Sequence, residues 1–165
     1  MGQASKSFDC REFIPKEAWQ YWQNRDNNGD LGMRFINPKI PIIMQFLRDN
    51  YGKPITINNW HVGGNFDGRC YRLPDDSVYT LYSDHSRGDA VDFNVEGLTS
   101  DQVYQDMLYK YSGDIVRLGV TSMEQNTEGW THLGVSDVSL WGFNTQSGIK
   151  LIPLPARITN KDVKR

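Results

Sequence analysis

Residues 82–97 read YSDHSRGDAVDFNVEG, which places one histidine, several carboxylates and two glycines in a single short stretch. His85 and Asp92 are seven positions apart. That spacing does not put them on adjacent turns of one helix, but it suits a ligand at the end of a loop followed by a ligand on a strand. GDAVDFNV has the β-branched and aromatic content of such a strand. Gly88 and Ala90 are the small residues that would let backbone and metal approach closely. The stretch is either chance loop chemistry or half of a metal site; a catalytic zinc site takes three protein ligands and leaves one position open, so the second reading needs a further ligand from elsewhere in the chain.

The chain has two other histidines. His132 lies in WTHLGV, where Trp130, His132 and Gly134 alternate with Thr131, Leu133 and Val135, so His132 points to a defined strand face. His61 sits beside VGG in a loop and is assigned no metal role. The preceding EQNTEGW carries Gly129 where a three-residue hairpin loop needs a left-handed residue, after a type I turn over Thr127 and Glu128. With that turn Asn126 pairs with Trp130, and Glu124 falls directly opposite His132 on the same sheet face. Glu128 would face solvent at the tip. A register shift of one residue would bring Met123 to that place instead of Glu124.

SDHSRGDAVDF resembles the Ser-x-His-x-x-Gly-x-Ala-x-Asp-Phe motif of the zinc D-alanyl-D-alanine carboxypeptidases and L-alanyl-D-glutamate endopeptidases, whose fold is shared with the Hedgehog signalling domain. WTHLGV is similar to the Trp-x-His strand that carries that family's last ligand. The order of elements also agrees, and the resemblance spans roughly Lys53 to Val135. It implies zinc held by His85, Asp92 and His132, with Glu124 as general base. It also implies an arginine ahead of the first ligand, here Arg69 or Arg72 in GRCYR, that holds a substrate carbonyl or carboxylate and stabilises an oxyanion. Ser83 matches the family serine and would contact substrate or cap the loop backbone. Asp84 and Asp89 flank the ligands as solvated or supporting groups. Many relatives place the acid three residues before the last histidine, where this chain has Gly129; in others it lies further back across the hairpin, as Glu124 does. Relatives often carry an acid two residues after that histidine, where this chain has Gly134.

The implied activity is hydrolysis of an amide bond in peptidoglycan stem peptides, as carboxypeptidase or endopeptidase, and size and resemblance suit a bacteriophage lysin or a virion component. The competing expectation is a non-catalytic zinc module that binds cell wall or a partner protein. It keeps the three ligands and needs no base.

Working outward, 165 residues suit one domain: a helical part over 1–52, a metal-site core over 53–136 and a C-terminal extension over 137–165. IPKEAWQYWQ reads as a helix, RDNNGDLG as a turn, and NPKIPIIMQFLRDNYG as a second helix with Asn37 as cap, Pro38 in first position and Gly52 as stop. KPITINNW is a short strand, residues 61–82 are loop-rich, and TSDQVYQDMLYKY is a helix capped by Thr99 or Ser100. DIVRLGVTSME and WTHLGVS form a hairpin, and GIKLIPLP is a last strand or extended tail. Together these give an α+β fold with N-terminal helices and a small antiparallel sheet.

With 38% hydrophobic and 23% charged residues the chain is globular rather than disordered. A net charge of −2 gives no electrostatic reason to expect nucleic acid. No apolar run is long enough for a membrane span, and MGQASKSFDC lacks the apolar segment of a secretory signal. The expectation is synthesis in a host cytoplasm, action at the cell wall after release or from a virion, and a monomer. Cys10 and Cys70 are expected as semi-buried thiols, with a single bridge between them as the alternative. Asp26, Asn28 and Asp30 imitate a calcium loop, but Leu31 and Asn37 stand where that loop needs glycine and glutamate.

Overall fold

The computed structural model describes residues 2–23, 25 and 29–136 and the backbone of 151–153. The elements in chain order are α1 (Lys16–Trp22), α2 (Asp30–Met33), α3 (Lys39–Tyr51), β1 (Ile55–Thr56), β2 (Ala90–Val95), α4 (Ser100–Tyr109), α5 (Ser112–Leu118), β3 (Ser122–Glu124), β4 (Thr131–Gly134) and β5 (Leu151–Pro153). The sheet runs β1-β2-β4-β3-β5 with every neighbouring pair antiparallel. The α+β class and the small antiparallel sheet are as the sequence indicates.

Local signals set the helix ends. The Asn37 side chain accepts from the Lys39 amide at 3.1 Å, and Gly52 closes α3 at φ +61. Pro41 lies in the first turn, where its missing N–H costs nothing, and α3 runs through it. Thr99 and Gln102 form a reciprocal capping box at the start of α4.

Side-chain alternation divides the sheet into two unlike faces. Val91, Phe93, Val95, Met123 and Leu133 point to one side and join Ile40, Ile43, Met44, Leu47, Val103, Met107 and Ile115 of the helices in one buried cluster. Each such side chain contributes about 1.5–3 kcal/mol by leaving water. Asp92, His132 and Gly134 belong to the other face, together with Ser122 and Glu124. The apolar layer therefore fixes the register of the polar one.

Two expectations need correction. The segment from Asp114 to Leu118 is not part of a hairpin strand; it is α5, whose Ile115 is fully buried against the core. Gly119 at φ +104 ends the helix, and only Ser122–Glu124 forms the strand. RDNNGDLG is more than a turn, because Asp30–Met33 makes one turn of helix after left-handed Gly29. Asp26 and Asn28 of the calcium-like pattern lie outside the described residues, as does GIKLIPLP apart from β5. Cys10 and Cys70 are fully buried thiols with no disulfide between them. Among the described residues no helix is long and apolar enough to cross a membrane.

Candidate metal centre

His85 sits in a 3₁₀ turn, Asp84–Arg87, that begins at Ser83 and ends at Gly88. The Ser83 hydroxyl accepts from the His85 amide at 3.3 Å, which is the capping role open to it in the sequence. Gly88 has φ +71, and a Cβ there would lie 1.7 Å from the Phe35 carbonyl oxygen. The motif glycine is thus required by the Phe35 backbone and not by the space an ion would take. Asn37 donates to the Gly88 carbonyl at 2.9 Å and locks the same junction.

Asp92 and His132 are cross-strand partners on β2 and β4. Together with His85 they bring ligand atoms within 4.8 Å of one another, all three residues being buried. His132 Nδ1 lies 2.7 Å from Asp92 Oδ1, and His85 Nε2 lies 3.4 Å from Asp92 Oδ2 and 3.3 Å from His132 Nδ1. The other ring nitrogen of His85 is 2.9 Å from the Cys70 carbonyl. A carbonyl only accepts, so Nδ1 carries the hydrogen and Nε2 turns its lone pair into the cluster.

Burial alone would raise the Asp92 pKa, but the His85 and His132 interactions win and hold it far below the usual carboxylate range. Burial alone would lower that of His132; the hydrogen bond and charge of Asp92, with Glu124 and Asp84 beyond, outweigh it and raise it. The two shifts run in opposite directions, so the pair favours a protonated His132 beside an ionised Asp92 more than either group would alone. Two imidazole nitrogens and one carboxylate with ligand atoms within 4.8 Å of one another form a donor set of the kind a divalent cation takes, so these residues could hold a metal ion.

Glu124 ends β3. Ser122 pairs with Gly134 and Met123 with Leu133, and the same register carries Glu124 opposite His132. Glu124 is half-buried and Glu128 is exposed. Gly129 takes the expected left-handed conformation at φ +89, but Asn126 is left-handed as well at φ +62, and the β3–β4 ladder stops short of the Asn126–Trp130 pair. Asparagine is the residue besides glycine that best tolerates this region.

The two arginines have different surroundings. Arg69 donates to Asn94 Oδ1 at 2.5 Å and lies 3.5 Å over the Phe66 ring, and burial lowers its pKa. Arg72 donates from Nε to the Gly68 carbonyl at 3.0 Å and from a terminal nitrogen to Asp92 Oδ2 at 3.2 Å. Asp84 pairs with Arg87, and Asp89 accepts from Asn37 at 2.9 Å. A Cβ at Gly134 would lie 3.1 Å from Asp84 Oδ2 and 2.5 Å from the Ser122 hydroxyl. The carboxylate of Asp84 thus occupies the space beside His132 that a side chain at position 134 would need. The chain itself does not reveal this approach of Asp84 to Gly134. His61 lies in another 3₁₀ turn, Trp60–Val62, outside the cluster.

Comparison with known proteins finds no matching family model, no matching curated protein and no matching solved structure.

Proposed function

We propose that the chain is a zinc-dependent peptidase of the D-alanyl-D-alanine carboxypeptidase or L-alanyl-D-glutamate endopeptidase type, hydrolysing an amide bond in peptidoglycan stem peptides. The observation that carries the reading is the buried convergence of His85, Asp92 and His132, with Glu124 in register opposite His132. The choice of substrate rests on the motif resemblance, from Ser83 through Phe93 and again at Trp130 and His132.

His85 through Nε2, Asp92 through a carboxylate oxygen and His132 through Nδ1 would hold the ion. Bound zinc supplies Lewis acidity, polarising a carbonyl oxygen and bringing the pKa of water down to about 7. Glu124 shares the sheet face with His132 and takes the proton from the attacking water, then returns it to the leaving amine. Arg69 lies beside Asp92 with its charge matched by an amide and a ring rather than a carboxylate. A substrate carbonyl or carboxylate is the acceptor suited to its remaining N–H groups. The Cys70 carbonyl keeps His85 in the tautomer the site needs.

The test is digestion of purified muropeptides with added zinc, read by mass spectrometry. A stem-peptide fragment released with zinc and not with a chelator is expected. Absence of cleavage of every linear and cross-linked stem would overturn the proposal.

A further inference from the structure

We infer that Arg72 is a positioning residue that fixes how Asp92 meets the metal ion, and that it is not the arm that holds substrate; the inference rests on the metal-site reading above. The segment Gly68–Arg72 runs as a strap behind the first two ligands. Asp92 donates its amide to the Arg69 carbonyl at 2.7 Å, and the Cys70 carbonyl accepts from His85 Nδ1 at 2.9 Å. Arg72 donates its own amide to the His85 carbonyl at 3.2 Å and its guanidinium to Asp92 Oδ2, also at 3.2 Å. Four hydrogen bonds from Arg69, Cys70 and Arg72 thus tie a loop ligand to a strand ligand. No periodicity in the chain marks them.

The guanidinium is committed at two points, to the Gly68 carbonyl and to Asp92. Its side chain is only 19% exposed, which fits a group held inside the fold better than one reaching for substrate. Gly68 holds φ +64, and a Cβ there would lie 2.9 Å from Asp76 Oδ2, so the turn supplying that carbonyl depends on glycine. A planar fork can bridge a carbonyl and a carboxylate at once, whereas a lysine ammonium offers a single point charge. With Oδ2 engaged by Arg72 and Oδ1 facing His132 Nδ1, Asp92 is set to give the ion one oxygen. A carboxylate released from Arg72 is free to rotate or to chelate with both oxygens, which changes coordination number and affinity together.

The experiment compares the full chain with Arg72→Ala, Arg72→Lys and Arg69→Ala. It reads zinc affinity by chelator competition, the visible spectrum of the cobalt(II)-substituted protein, and KM and kcat on muropeptides. Arg72→Ala should bind zinc about 10–100-fold more weakly, with a cobalt spectrum weakened as coordination number rises. Arg72→Lys should recover only part of the affinity, and it serves as the reading should Arg72→Ala fail to fold. Arg69→Ala should keep the parental zinc affinity and raise KM. Unchanged zinc affinity and an unchanged cobalt spectrum in the Arg72 variants would overturn this inference alone. A parental protein that binds no metal would overturn it together with the metal-site reading.

Discussion

Asp92 and His132 face each other across the β2–β4 ladder with 2.7 Å between Oδ1 and Nδ1, a contact that raises the His132 pKa, so a cation bound at Nδ1 competes with a proton there. The raised His132 pKa stabilises the metal-free fold fully below the unfolded value of about 6.5. That contribution is lost as pH rises through the folded value. The depressed Asp92 pKa works the other way: its contribution is present above about 3.9 and disappears as pH falls through the folded value. The pair therefore favours the metal-free protein most between those two reference values. Zinc affinity should fall about tenfold per pH unit below the His132 pKa, since one proton is displaced. Thermal unfolding with zinc and with chelator, from pH 5 to pH 8 (about the range where imidazole titrates), should show a zinc-dependent rise in Tm that grows with pH. A shift that shrinks toward pH 8 would mean that His132 is not a ligand.

Removing a ligand tests the same geometry without titration. His85→Ala and His132→Ala should each abolish stoichiometric zinc and hydrolysis together, because a site with three protein ligands has none to spare. His61→Ala should spare both, since His61 lies in the Trp60–Val62 turn, outside the cluster. Metal analysis of the purified variants decides it. One tightly bound zinc in His132→Ala would remove the hairpin from the site.

Strands β2 and β4 were legible in the chain through the β-branched and aromatic content of GDAVDFNV and the alternation in WTHLGV, which puts Leu133 on one face and His132 on the other, although both strands are buried on both faces. The register that carries Glu124 opposite His132 agrees with the one read from the chain, although Asn126 is left-handed beside Gly129 and the Asn126–Trp130 pair does not form. Helix α5 was not legible. Ile115 and Val116 are β-branched and read as strand, while the deciding signals were the stop at Gly119 and the burial of Ile115 from the far side. The Arg72–Asp92 and Asp84–Gly134 approaches were out of reach for a different reason. They join a loop to a strand across the fold, and no local pattern encodes such pairs.

Glu124 separates an enzyme from a zinc-binding module. Its carboxylate acts on His132 through its charge without a direct hydrogen bond between them among those described. Glu124→Gln should therefore leave the three ligands and stoichiometric zinc in place. If Glu124 is the base, kcat should fall by about 10²–10⁴-fold with little change in KM. A protein that binds cell wall without cutting it would be indifferent to the substitution. Zinc content, muropeptide turnover and wall sedimentation measured on the same preparation distinguish the two.

Gly88 and Gly129 are both left-handed, at φ +71 and φ +89, yet their surroundings differ completely. Around Gly129 nothing lies within 4 Å of an added Cβ, so Gly129→Ala should cost only the left-handed backbone penalty, about 1–2 kcal/mol. At Gly88 the same methyl would meet the Phe35 carbonyl oxygen at 1.7 Å, and that clash is with main chain that no rotamer can relieve. Gly88→Ala should add displacement of the Phe35–Asn37 junction to the backbone penalty, for about 3 kcal/mol or more in total. It should also weaken zinc binding, because Gly88 ends the turn that carries His85. Urea unfolding of the metal-free variants gives the first quantity, and chelator competition gives the second. Equal midpoints for the two alanine variants would show that the Gly88–Phe35 contact does not hold the turn in place.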